Sequence, residues 1–251
     1  MTSLLLIHGW GFNRRVFDPL LEPLARAGIQ ASFWELPGHG RQIGVEVAPT
    51  LGAWAGACHS HLPRAPQVIL GWSLGGQVAV ELALRYPKQV QGLILVSTTP
   101  RFVAGADWED GHDIQVFERF AGELEVQYEK TLSDFLWLQL RNPETAHRVV
   151  PKLRDALARG GAPTLAGLRA GLEILKTSDQ REALRGGLPQ PTALLAGKQD
   201  RLVLPGAIKW LAGALGIEAV WLTRGGHVPF LTDPDWFTQE VRGFLNAHAG
   251  L

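Results

Sequence analysis

The chain has 251 residues and balances 24 Lys and Arg against 24 Asp and Glu, so its formal net charge is zero. A neutral chain has no overall field to draw it to nucleic acid or to an acidic membrane surface. Hydrophobic residues are 46% of the chain, enough to bury the core of one large α/β domain or two small ones. The single cysteine, Cys58, excludes an internal disulfide, and no Cys/His spacing resembles a metal site. No metal and no organic cofactor is expected. The start, MTSLLLIHGWG, lacks a basic n-region and a cleavage site, and no apolar run approaches a bilayer span. The expectation is a soluble, cytoplasmic, monomeric protein.

Short apolar runs alternate with helical patterns. Leu4–Ile7 predicts a strand ending at His8-Gly9, and Asp18–Ala27 a helix closed by Gly28. Ile29–Leu36 predicts a second strand, running into Pro37-Gly38-His39-Gly40. Thr50–Leu62 reads as a helix, Gln67–Gly71 as a third strand, Leu74–Tyr86 as a helix stopped before Pro87, and Val90–Ser97 as a fourth strand. The runs are continuous and β-branched or Leu-rich, as for strands buried on both faces. Strand and helix in alternation predict a parallel sheet covered on two sides.

From Arg101 to about Gly187 the alternation stops. Phe117–Gly122, Tyr128–Arg141, Glu144–Arg159 and Thr164–Lys176 are helix candidates, with Pro151 expected to break or start one of them. Alternation resumes with a strand at Pro191–Gly197, a helix at Ala207–Leu215, a strand at Glu218–Leu222 and a helix at Pro234–Ala247. The expectation is an α/β core (1–100 and 188–251) with a helical cap (101–187) inserted after the fourth strand.

Gly71-Trp72-Ser73-Leu74-Gly75 sits where a strand passes into a helix, the context a G-x-S-x-G nucleophile elbow demands. The flanking glycines let strand and helix approach, and a serine at a helix N-terminus sits where developing negative charge is favoured. A glycine-rich turn with Ser73 as a helix cap would give the same letters. A serine hydroxyl needs a base, and the base an orienting acid. The order serine, acid, histidine is met by Asp200 in GKQDRLVLP and His227 in RGGHVPF, each just past a strand. Taken singly, Asp200 reads as a turn residue and His227 as a loop histidine; jointly they match a triad. Oxyanion donors are expected from Leu74, after the serine, and from Trp10 in IHGWG. His8 and His39 read as structural.

LLLIHGWG, LPGHG, LGWSLGG and GHVPF together resemble the α/β-hydrolase superfamily. More narrowly, those motifs with FLWLQL (Phe135–Leu140) and GLEILKTSDQREAL (Gly171–Leu184) resemble the pimeloyl-acyl carrier protein methyl ester esterases of biotin synthesis, over nearly the whole length. The resemblance implies an α/β-hydrolase fold with a mostly parallel sheet; as a departure from it, the sequence starts almost at the strand before His8-Gly9, so the N-terminal hairpin usual in the superfamily is expected to be lacking and the sheet to have about six strands. The resemblance implies Ser73, Asp200 and His227 as the triad. Trp10 and Leu74 would serve the oxyanion, and Phe135, Leu136, Trp137, Leu138 and Gln139 would contact the acyl chain. Phe135, Trp137, Leu138 and Leu140 make an apolar wall suited to a medium chain.

The implied partner is acyl-carrier protein bearing the pimeloyl methyl ester, with small free esters as further substrates and no nucleic acid or membrane. One departure concerns docking. Family members meet the acidic carrier through basic residues around this segment, yet residues 101–134 hold nine acids and three bases. The balance reverses after it, so Arg141, Arg148, Lys152 and Arg159 become the candidate docking residues, three of them near one helical face. The alternatives are a solvated helix face, a general carboxylesterase for short- to medium-chain free esters, a serine C–C hydrolase, or a ligand-binding protein without catalysis.

Overall fold

The computed structural model describes residues 2–248. Six strands, β1 (Thr2–Ile7), β2 (Ile29–Trp34), β3 (Gln67–Trp72), β4 (Val90–Val96), β5 (Thr192–Gly197) and β6 (Ala219–Leu222), form one sheet. Their order is β2-β1-β3-β4-β5-β6, with every neighbouring pair parallel. All six residues of β3 are buried, as its unbroken apolar run requires.

The two-residue period of a strand sorts each run into two cores. Leu5 and Ile7 point into one with α2 (Leu51–His59), α3 (Leu74–Arg85) and α9 (Pro205–Leu215). Leu4 and Leu6 point into the other with α1 (Asp18–Arg26) and α11 (Pro234–Ala247).

Between β4 and β5 run α4 (Ile114–Val126), α5 (Tyr128–Leu138), α6 (Pro143–Gly160), α7 (Leu165–Thr177) and the short α8 (Arg181–Leu184). This insert reaches both cores. Phe117, Leu168 and Leu172 join the first, and Leu136, Val149, Val150 and Leu153 the second. Each such side chain contributes about 1.5–3 kcal/mol on burial. Asn13, in the loop after β1, donates through Nδ2 to the carbonyls of Ala156 (3.2 Å) and Gly161 (3.1 Å), tying α6 to the sheet.

Two sequence expectations are corrected, and two short elements are added. Pro151 neither breaks nor starts a helix; it lies within α6. It removes one N–H, but Pro151 and His147, whose carbonyl loses that partner, are both exposed, on the side of α6 where solvent can take the partner's place. The first insert helix begins at Ile114 rather than Phe117, because Asp113 caps it by accepting from Gln115 N–H at 2.7 Å. Two single-turn helices, α8 and α10 (Pro229–Thr232), have too few residues to show a period.

Candidate active site

Ser73 stands between β3 and α3 with φ 56° and ψ −121°, a conformation that costs a non-glycine residue free energy and persists only where the surroundings enforce it. The glycines explain the enforcement. A Cβ on Gly71 would come within 2.5 Å of the Gly75 carbonyl oxygen, and one on Gly75 would fall on the carbonyls of Ile7 and His8. The turn is therefore packed directly against its own helix and the end of β1. Thr98, beyond β4, donates its hydroxyl to the Ser73 carbonyl at 2.7 Å, and a Cβ on Gly76 would strike Thr98 at 2.6 Å. The second glycine of the Gly75-Gly76 pair was the available signal for this contact.

Asp200 and His227 follow β5 and β6 and meet beside the elbow. His227 Nδ1–H donates to Asp200 Oδ2 at 2.8 Å, both side chains being 2% exposed. The other carboxylate oxygen accepts from Leu202 N–H (2.8 Å) and Val203 N–H (3.0 Å), fixing the acid's rotation. Proton placement on Nδ1 leaves the His227 Nε2 lone pair free to accept. Two contacts hold the histidine loop. The Trp72 indole N–H donates to the His227 carbonyl at 2.8 Å, and His227 N–H donates to the Gln139 carbonyl at 2.8 Å. The tryptophan before the serine thus links the elbow to the base.

The loop after β1 lies against the serine. A Cβ on Gly9 would be 3.1 Å from Ser73 Cβ. Two buried histidines brace it. His8 donates from Nδ1 to the Gly9 carbonyl (2.8 Å) and accepts at Nε2 from Leu36 N–H (3.2 Å). His39 donates to the Pro37 carbonyl (2.9 Å) and accepts from Gly11 N–H (3.2 Å). Burial lowers the His8 pKa to about 4; burial, with His8 nearby, lowers that of His39 to about 3. Both are neutral and use both ring nitrogens. Leu74 opens α3, so its N–H lacks an intrahelical acceptor. Trp10 donates its indole N–H to the Leu168 carbonyl at 2.9 Å and stands edge-on to Phe135, with centroids 4.9 Å apart. Gly171 leaves room for that indole, since a Cβ there would approach Trp10 Cδ1 to 2.6 Å.

Ser73 and His227 open onto one cavity of about 230 Å³, walled by Trp10, Phe117, Phe120, Phe135, Leu138 and Leu172 among others. Of the segment expected to contact the acyl chain, Phe135 and Leu138 line it; Leu136, Trp137 and Gln139 do not. The i, i+3 spacing on α5 turns only those two side chains inward. Leu136 and Leu140 are buried in the second core. Trp137, 39% exposed, packs edge-on against His147. Gln139, 1% exposed, contributes its backbone to the histidine loop.

Arg141, Arg148, Lys152 and Arg159 are all exposed. Arg148 donates to the Thr232 carbonyl at 3.2 Å, and Arg159 pairs with Asp155 (2.6 Å) and Asp18 (3.4 Å). Among the described residues, no three His, Cys, Asp or Glu side chains are grouped to hold a metal, and no helix is long and apolar enough to cross a membrane.

An acid–imidazole pair beside a serine on a strained strand-to-helix turn, over an apolar cavity, is an arrangement suited to acyl transfer. Residues 4–240 match the model of the Alpha/beta hydrolase family. The chain belongs to the alpha/beta hydrolase family. Within that family it is 38% identical over 249 residues to a pimeloyl-acyl carrier protein methyl ester esterase of Stenotrophomonas maltophilia, covering 98% of this chain and 93% of the relative. The enzyme of the same name from Nitrosomonas europaea is 38% identical over 236 residues, covering 94% and 92%. An esterase from Exiguobacterium antarcticum shares the hydrolase fold at a TM-score of 0.87 and 17% identity, over 98% of this chain and 92% of that one.

Proposed function

We propose that the chain is a serine esterase that hydrolyses the methyl ester of pimeloyl-acyl carrier protein, freeing a carboxylate for biotin synthesis. One observation carries this: the near full-length likeness to esterases of that name extends through the insert, where members of a fold family differ most. Residues 2–100 and 188–248 form the catalytic core, and residues 101–187 are a cap that closes the acyl site from water.

In the first step Ser73 Oγ attacks the ester carbonyl and its proton passes to His227 Nε2. Asp200 holds the imidazole and stabilises its charged form. The oxyanion is met by N–H groups of Leu74 and of the Gly9–Trp10 segment, each worth on the order of 3 kcal/mol. His227 then protonates the departing methoxide to methanol. In the second step His227 takes a proton from water, which attacks the acyl-enzyme; the acid leaves and Ser73 recovers its proton. The apolar wall of Trp10, Phe135 and Leu138 takes the methylene chain. The carrier docks on the basic stretch after α5, where Arg141, Arg148 and Lys152 are exposed; Arg159, paired with two carboxylates, contributes less.

A second reading, a carboxylesterase for free esters, is favoured by the cavity itself, whose walls suit a medium acyl chain whatever it is attached to. Purified protein assayed on the carrier-linked methyl ester and on a p-nitrophenyl ester series separates the two. The proposal expects a higher kcat/KM on the carrier-linked ester, rescue of a biotin auxotroph lacking its own esterase, and loss of both in Ser73→Ala. Turnover of free esters alone, with no rescue by soluble protein, would replace it with the second reading.

A further inference from the structure

Among the residues that line the cavity with Ser73 and His227, three are exposed: Val116 on α4, Leu138 on α5 and Arg201 in the loop after β5. Val116 is 57% and Leu138 46% exposed, whereas the rest of the lining is buried or half-buried. Exposed lining residues mark a mouth, so the cavity opens between these three points. A substrate whose ester carbonyl sits at Ser73 must lead its chain out past them.

Arg201 is the one permanently ionised side chain on this lining. Its place is set by the catalytic acid: Asp200 Oδ1 accepts from the N–H groups of Leu202 and Val203, so residue 201 is the crest of a turn built on that carboxylate. Among the described residues no carboxylate pairs with its guanidinium. This contrasts with Arg101 and Arg181, both engaged with Asp107 and Asp179. A purely apolar chain gains nothing from an arginine at the rim. An oxygen acceptor on the far end of the chain gains a hydrogen bond, and a carboxylate gains a charge-assisted pair.

We propose that Arg201 is a specificity-determining residue that recognises the distal oxygen function of an α,ω-dicarboxylic acyl chain whose other end is the scissile ester. The proposal rests on the esterase reading and names its substrate class. The distal group has two sources with one chemistry: the thioester carbonyl of a carrier-linked chain and the free carboxylate of a half-ester.

The test compares monomethyl pimelate, methyl heptanoate (equal in carbon count, with a methyl in place of the distal carboxylate) and the carrier-linked methyl ester. The readout is the ratio of kcat/KM for each distally oxygenated ester to that for methyl heptanoate. Arg201→Ala should lower the ratio for at least one by about tenfold, the value of one charge-assisted contact partly screened by water. Arg201→Lys should recover part of it. A fall for monomethyl pimelate alone assigns the contact to a carboxylate; a fall for the carrier-linked ester alone, to the thioester carbonyl. Ratios unchanged in Arg201→Ala, or all three rates falling together, would overturn the assignment. Failure of the carrier reading is seen separately, as a wild-type enzyme inactive on the carrier-linked ester while the half-ester ratio still depends on Arg201.

Discussion

At the carboxyl edge of the sheet, Ser73, Asp200 and His227 are held by main-chain geometry and buried hydrogen bonds. In the helical insert above them, Phe135 and Leu138 are presented to the same cavity by helix periodicity alone. A helix turns each successive side chain by about 100°, so one residue of slip exchanges lining for surface. A strand end backed by glycines and paired carbonyls tolerates no such slip. The edge is therefore suited to fixed chemistry and the insert to adjustable recognition. Substitutions that disturb Ser73, Asp200, His227 or the packing beneath them should depress every ester alike, and substitutions of side chains that only line the cavity, in the insert or at its rim as with Arg201, should discriminate between esters.

The largest effect is expected from Asp200→Asn. The amide keeps its size but its NH₂ cannot accept the Nδ1 proton, and if it instead donates there the imidazole carries its proton on the wrong nitrogen. A loss in kcat of about 10⁴-fold is expected, equal within a few-fold on carrier-linked and free esters. A loss confined to one ester class would break the comparison at its stronger side.

Gly75→Ala comes next. The new methyl falls on the Ile7 and His8 carbonyls, so β1 and α3 must separate and the elbow with them. A destabilisation on the order of 2–4 kcal/mol is expected, read by denaturant unfolding, with activity falling on all esters. An unaltered midpoint would show that the edge is looser than its packing implies.

Much of this edge was legible in the sequence. A glycine on each side of a serine, at the end of an apolar run, states a backbone requirement locally. The acid and base follow their strands in the expected order, so topology carries them to one edge. The insert was legible in kind but not in detail. Phe135–Gln139 reads as one contact segment, yet only side-chain direction decides that Phe135 and Leu138 line the cavity, while Gln139 meets the histidine loop through its backbone carbonyl. Trp72 and Thr98 escaped for a related reason. Their partners, the His227 and Ser73 carbonyls, are backbone atoms; the first contact leaves no mark in the letters, and the second leaves only Gly76, which makes room for Thr98. Pro151 misled because a missing N–H is destabilising only where water cannot replace it.

In the insert, reversing Arg148 and Lys152 to Glu tests recognition away from Ser73, Asp200 and His227, with the loss of one exposed hydrogen bond, from Arg148 to the Thr232 carbonyl. Both lie on the exposed face of α6, and an acidic carrier would meet two repulsive charges instead of two attractive ones. KM for the carrier-linked ester should rise about tenfold and become less sensitive to salt, while p-nitrophenyl ester kinetics stay put. A parallel loss on both substrates would mean that α6 acts through packing.

The smallest effect concerns the brace beneath the loop after β1. His8 and His39 are buried and neutral, with pKa values lowered from 6.5 to about 4 and about 3. In the unfolded chain both titrate near 6.5, so below that pH the unfolded state binds more protons than the native one, and stability falls as pH falls. Their contribution is fully present above pH 6.5 and is lost progressively from there down to about pH 4 for His8 and about pH 3 for His39. Each histidine should cost about 1 kcal/mol at pH 5.5 relative to pH 7.5. His39→Gln removes one of the two titrations, so the slope of unfolding free energy against pH between 6.5 and 4 should shrink by close to one proton, measured by urea unfolding across that range. An undiminished slope would mean that other groups carry the acid sensitivity, and that the brace under Gly11 is not where the native edge resists protonation.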